Sequence, residues 1–248
     1  MSQLGRGLGA AAVYILCILM ATAYSYRYAD PPADVPATLV RLFVLQILLV
    51  LVCAIFVARF GSWRVFGFGR VNWPALIWLF PSFVVMGAMA AGLAPAWQAG
   101  AFEGLAPWVW VLLIGVPLLI GFGEEVMFRG ILLRSAQRTL PVPLAMTLSA
   151  VLFAAMHAPS GLIAQPASAT LQNTLFALTV GLFLAPVALR LGNLWPLIIW
   201  HAVWNMLVFA SQIAGVQHGF VLIGVLIQAA VAGWLWRDFV RYPVRLAS

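Results

Sequence analysis

Apolar residues fill this chain in long blocks, separated by short stretches rich in Pro, Gly, Ser or Arg. A membrane-crossing helix needs about 20 mostly apolar residues. Stretches of that kind fall at roughly 8–26, 38–58, 74–94, 107–133, 142–160, 171–189, 193–211 and 218–236, which predicts about eight spanning helices. The separators have the composition of loops. Asp30-Pro31-Pro32-Ala33-Asp34 divides the first pair, Arg59 to Trp73 carries arginines, glycines and aromatics, and Gly100–Pro107 and Pro159–Ser168 hold helix-breaking residues. The first block, with Arg6 ahead of it and Ala21-Thr22-Ala23 at its end, also fits a secretory signal. We read it as a retained helix. No period of 20–50 residues is visible, so residues 1–248 are expected to form a single membrane domain.

Composition agrees. The 248 residues are 65% hydrophobic and 8% charged, against about 25% charged in soluble proteins, and mean hydropathy is +1.06. That excludes a soluble globule and a disordered chain. The net charge of +7 comes from 13 arginines, no lysine and 6 acids. Those arginines are scattered singly between apolar blocks, so no basic face exists for a nucleic acid. They do order the topology, because basic residues favour cytoplasmic loops. With the N-terminus inside, Arg6, Arg59, Arg64, Arg70, Arg134, Arg138, Arg190, Arg237, Arg241 and Arg245 fall on the cytoplasmic side, and only Arg27 and Arg41 fall outside. The predicted fold is an all-α polytopic helix bundle with both termini cytoplasmic. Abundant Ala, Arg, Gly and Trp without Lys points to a high-GC bacterial genome, hence a bacterial cytoplasmic (inner) membrane. Cys17 and Cys53 lie inside apolar blocks and suit neither a disulfide framework nor a cysteine metal site.

Against that background, polar residues inside spans are the candidates for chemistry, since each charge there costs at least about 2.5–3.5 kcal/mol. Glu124, Glu125 and Arg129 lie in the fourth block, His157 in the fifth, His201 and Asn205 in the seventh. Counted from Arg134, Pro143 and Leu191 at a rise of about 1.5 Å per residue, Glu124, His157 and His201 all sit roughly 15–21 Å from one face. Glu125 and Arg129 are one turn apart and can pair. Glu124, rotated by about 100°, is left without that partner and suits a general base. His201 with Asn205, and Phe153 with His157, likewise share helix faces.

Two chemistries are open to these atoms. Glu124 and His157 can hold and deprotonate a water while His201 and Asn205 donate to a tetrahedral oxyanion. Alternatively, Glu124, His157 and His201 can coordinate Zn²⁺, leaving one position for water. A third reading is non-catalytic: a scaffold or transporter that keeps the polar cluster for assembly or ion binding. His218 is expected to be solvated at a loop. Trp63, Trp73, Trp97, Trp108 and Trp195 read as interfacial anchors, and Gly121, Gly123 and Gly130 as points of close backbone approach.

Taken in order, Glu124-Glu125-Val126-Met127-Phe128-Arg129-Gly130, Phe153-Ala154-Ala155-Met156-His157 and His201-Ala202-Val203-Trp204-Asn205 give EExxxRG, FxxxH and HxxxN. The pattern resembles the CPBP family of intramembrane proteases, which includes the type II CAAX prenyl endopeptidases and bacteriocin-processing enzymes. It places the catalytic core at 107–211. The resemblance implies that Glu124 is the catalytic base, Glu125 and Arg129 its supporting pair, His157 the partner that binds the water, and His201 with Asn205 the oxyanion site. It also implies a substrate that is a membrane-associated, hydrophobic or lipid-modified protein or peptide, with no cofactor required in the metal-free mechanism and zinc in the other. The cavity is expected to open toward the cytoplasmic side.

Overall fold

A computed structural model of the protein describes residues 2–28, 34–158, 167–219 and 221–241. The Asp30–Ala33 part of the first separator, residues 159–166 of the fourth, and Arg245 lie outside the described residues. Those described are almost entirely helical: α1 (Gln3–Tyr28), α2 (Val35–Phe60), a 3₁₀ turn (Trp73–Leu79) leading into α3 (Phe80–Gln98), and α4 (Pro107–Glu125). A π-helical segment (Val126–Leu132) continues α4 directly into α5 (Leu133–Gln137). Then come α6 (Val142–Ala155), α7 (Ala167–Leu191), α8 (Trp195–Ala214) and α9 (Val221–Arg241). In lipid only a helix satisfies its own backbone groups, so the apolar blocks become helices whatever their side-chain propensities. Local signals set the ends. Asp34 caps α2 by accepting from the Ala37 amide at 2.8 Å, and α8 stops at Gly215, whose φ of 65° is the left-handed conformation glycine adopts without strain.

Among the described residues, seven helices are long and apolar enough to cross a membrane. The fifth block departs from expectation. Its helix, α6, has 14 residues, a length of about 21 Å against a hydrocarbon core of about 30 Å. It ends because the chain tightens into a turn, with the His157 amide bonded to the Ala154 carbonyl at 3.0 Å. Hence His157 stands just beyond a short helix rather than inside a full span. α6 packs antiparallel on α7: Val142 and Met146 share a cluster with Ala185, and Gly181 lies against Ala150.

The helix running from α4 through α5 is the central pillar. It is the most deeply buried of the seven spans, whereas α1 and α2 are the most exposed. It meets α8 at Gly121, where an added Cβ would lie 2.7 Å from the Ile198 carbonyl oxygen; only a residue without a side chain lets the two backbones approach so closely. Tyr14 of α1 packs edge-on against Phe128, with ring centroids 5.9 Å apart. Widening to π geometry alters the backbone bonding of the pillar, and the Phe128 carbonyl in this stretch accepts from Ser149 Oγ of α6 at 2.8 Å. The chain between α2 and the 3₁₀ turn is strapped to the α7–α8 turn: Leu194 N–H donates to Gly67 O at 2.9 Å and Asn193 Nδ2 to Gly69 O at 2.6 Å. The five predicted anchors Trp63, Trp73, Trp97, Trp108 and Trp195 are all well exposed. His218 is not simply solvated, because its Nε2 is hydrogen-bonded to Ser211 Oγ at 2.9 Å.

Candidate active site

The pillar places two adjacent carboxylates at the last turn of α4, immediately before the backbone widens. Successive residues on a helix point about 100° apart, and here they reach different surroundings. Glu125 is fully buried; its Oε1 accepts from Arg129 Nη1 at 3.0 Å. The same oxygen lies 2.9 Å from Nδ1 of His201 on α8. The pairing read from the sequence is therefore a three-membered cluster, joined across two helices. Arg129, also fully buried, lies 4.1 Å above the Phe153 ring, a cation–π contact that shares the burden of keeping a guanidinium out of water.

Glu124 turns the other way. Its Oε2 is 3.6 Å from His201 Nε2, beyond hydrogen-bond range, and that oxygen has no hydrogen-bond partner among the described residues. His201 thus stands between two carboxylates, gripped by Glu125 and facing Glu124. The orientation assigns its protons, because a carboxylate acceptor at Nδ1 requires the proton there. The neutral ring then presents Nε2 as an acceptor, and the imidazolium donates from both nitrogens. His157 makes the comparable commitment to backbone, with Nδ1 donating to the Phe153 carbonyl at 3.0 Å. Its ring packs on Phe153 with centroids 5.1 Å apart, the arrangement expected from their shared face.

Glu124, His157, His201 and Asn205 all line one cavity of about 480 Å³, along with Phe153. Its remaining wall is mostly apolar and includes Trp200 and Trp204, whose rings stack 5.9 Å apart; Trp200 is pinned by an indole N–H to Ser82 Oγ bond of 2.7 Å. Glu125 and Arg129 stay behind this surface and do not line it. With Nδ1 of His201 on Glu125 and Nδ1 of His157 on a backbone carbonyl, each ring keeps Nε2 as its free acceptor, the nitrogen that would take a metal or a water; among the described residues no three His, Cys, Asp or Glu side chains gather closely enough to hold a metal ion.

The cavity does not extend as expected. Its lining uses the first halves of α2, α7 and α9, through Leu42, Phe176 and Val225, and the last part of α1, through Thr22. Arg6, Arg59, Arg190 and Arg237 occupy the other ends of those same helices. The cavity therefore runs from the polar cluster away from the arginine-rich end; Phe128 and Leu197, toward that end, are fully buried and do not line it.

Sequence reasoning also missed two buried amides in the lining. Gln46 and Gln228 are 4% and 2% exposed. Gln46 Oε1 and both polar atoms of the Gln228 carboxamide lack hydrogen-bond partners among the described residues. Each is a lone amide inside an apolar block, Leu45-Gln46-Ile47 and Ile227-Gln228-Ala229. The cost of burying an unpaired polar group could have flagged them, had the search extended beyond charges and imidazoles.

Residues 106–207, which carry these motifs and helices, match the family model of type II CAAX prenyl endopeptidase Rce1-like proteins. Over that segment, less than half of the chain, the match supports the resemblance to the CPBP family. No curated protein matches the chain. The Rce1-like family is one of proteases, so its members act on proteins or peptides, and the seven long apolar helices make this chain an integral membrane protein.

Proposed function

We propose that the protein is an endopeptidase that hydrolyses a peptide bond of a hydrophobic or lipid-modified, membrane-associated substrate by a metal-free, glutamate-dependent route. One observation carries this reading: a single, mostly apolar cavity exposes a carboxylate, two imidazoles and a carboxamide, while the ion pair that supports them stays behind its wall. A water held between Glu124 and His157 loses a proton to Glu124 as its oxygen attacks the substrate carbonyl carbon. The resulting oxyanion takes hydrogen bonds from Asn205 Nδ2 and, in the imidazolium form, from His201 Nε2. As the carbon–nitrogen bond breaks, Glu124 returns the proton to the departing amine, so the enzyme ends as it began. Glu125 acts by holding His201 through Nδ1, and Arg129 by holding Glu125. The bacterial inner membrane, with the arginine-rich end cytoplasmic, is the proposed setting.

The test is Glu124→Gln in purified full-length protein, presented with a library of membrane-anchored peptides and followed by mass spectrometry of products. Loss of a general base should slow cleavage by about 10²–10⁴-fold. Cleavage by the variant at the wild-type rate would overturn the base assignment, and absence of cleavage by wild type across the library would favour a scaffold. Metal analysis of the same preparation checks the route: zinc bound stoichiometrically by wild type and lost in His157→Ala would replace it with the metal-assisted one.

A further inference from the structure

A second cavity, of about 760 Å³, lies at the arginine-rich end of the bundle, away from the catalytic residues. It is walled by Arg64 from the chain after α2, Arg134 and Gln137 from α5, Arg190 from α7, and Asp238 from α9. Three guanidiniums face one carboxylate, and that carboxylate is already engaged: Arg190 Nη2 donates to Asp238 Oδ2 at 2.6 Å. The backbone offers little more. Arg134 Nη2 reaches the Ala188 carbonyl at 3.5 Å, and the Arg190 carbonyl is taken by Asn72 Nδ2 at 3.0 Å.

Donors consequently outnumber acceptors. Arg134 Nε, Arg190 Nε and Gln137 Nε2 are all buried without a hydrogen-bond partner among the described residues. Unpaired buried donors are costly, and guanidiniums bind oxyanions in bidentate fashion. Ends of α5, α7 and α9 form this part of the molecule, the level at which helices of this length meet phospholipid headgroups. Basic pockets between helices at that level suit anionic headgroups.

We propose that this cavity is a binding site for a phosphate-bearing anion, with Arg64, Arg134 and Arg190 as its cationic wall. The headgroup of an anionic phospholipid and free phosphate share that chemistry. Because the cavity is separate from Glu124, the site stands whether or not the protein cleaves peptides.

The experiment uses full-length protein in a neutral detergent, with native mass spectrometry and thermal unfolding in added phosphatidylglycerol, phosphatidylcholine or inorganic phosphate. Wild type is expected to hold phosphatidylglycerol in preference to phosphatidylcholine and to unfold at a higher temperature with it. Arg64→Gln and Arg134→Gln should each weaken that binding about fivefold. Arg64 is exposed, so its variant keeps the fold if Arg134→Gln does not. Protection by inorganic phosphate alone, lost in the same variants, supports the site and assigns it to the free anion. Equal binding of both lipids with no protection by phosphate, or equal binding by wild type and Arg64→Gln, would overturn the proposal.

Discussion

Arg129 and Glu125 offer the most direct measure of what holds the site together. Both are fully buried and joined by a 3.0 Å bond, and the guanidinium also lies 4.1 Å over Phe153. Removing one member of a buried pair leaves an uncompensated charge and costs about 3–5 kcal/mol. Arg129→Met strips Glu125 of its guanidinium, and Glu125→Leu strands Arg129, whose Nε and Nη2 already lack hydrogen-bond partners among the described residues. Each single variant is therefore expected to lose about 3–5 kcal/mol. The double variant replaces both charges with apolar atoms and should lose far less than the sum, giving a coupling of at least about 2 kcal/mol. Reversible unfolding in mixed micelles, followed by tryptophan fluorescence, measures all four proteins. Additivity to within about 0.5 kcal/mol would refute the buried-pair account. Cleavage adds a second readout, because the double variant still lacks the oxygen that grips His201. It should recover stability without recovering activity. Full activity in that protein would remove Glu125 as a positioning residue.

Three further outcomes follow from specific contacts. Ser149→Ala removes the hydroxyl that serves the Phe128 carbonyl and should cost about 1–3 kcal/mol in the same unfolding assay; an unchanged midpoint would show that the π segment needs no such bond. Gly121→Ala drives a methyl to 2.7 Å from the Ile198 carbonyl oxygen and should cost about 1–3 kcal/mol by separating α4 from α8, whereas a neutral result would mean the helices slide apart freely. Gln228→Leu removes unpartnered buried polar atoms from the cavity, so stability should hold or rise while KM for a cleaved peptide increases. A stability loss with unchanged KM would make the amide structural.

Much of the candidate polar cluster was legible in one dimension because lipid makes polarity scarce. Glu124, Glu125, Arg129, His157, His201 and Asn205 stand out in blocks where almost nothing else can ionise, and helical periodicity places Glu125 beside Arg129 and His201 beside Asn205. Periodicity speaks only within one helix. That Glu125 also holds His201 depends on α4 meeting α8, and that His157 follows a short helix depends on where α6 turns. Arginine counting reads loops, so it carried no information on which half of the bundle encloses the cavity.

Helix formation, membrane residence and the identity of the buried ionisable residues Glu124, Glu125, Arg129 and His201 belong to the amino-acid order alone, since hydrocarbon solvent penalises every unpaired backbone group and every stray charge. Packing decided the rest. Gly121 brought two backbones close enough to join the acid pair to an imidazole, the backbone widened directly after that pair, and the gaps left between helices became one apolar cavity with Gln46 and Gln228 in its wall and another lined by arginines. Such features arise from contacts between residues far apart in the chain, which no local pattern of hydrophobic and polar positions encodes.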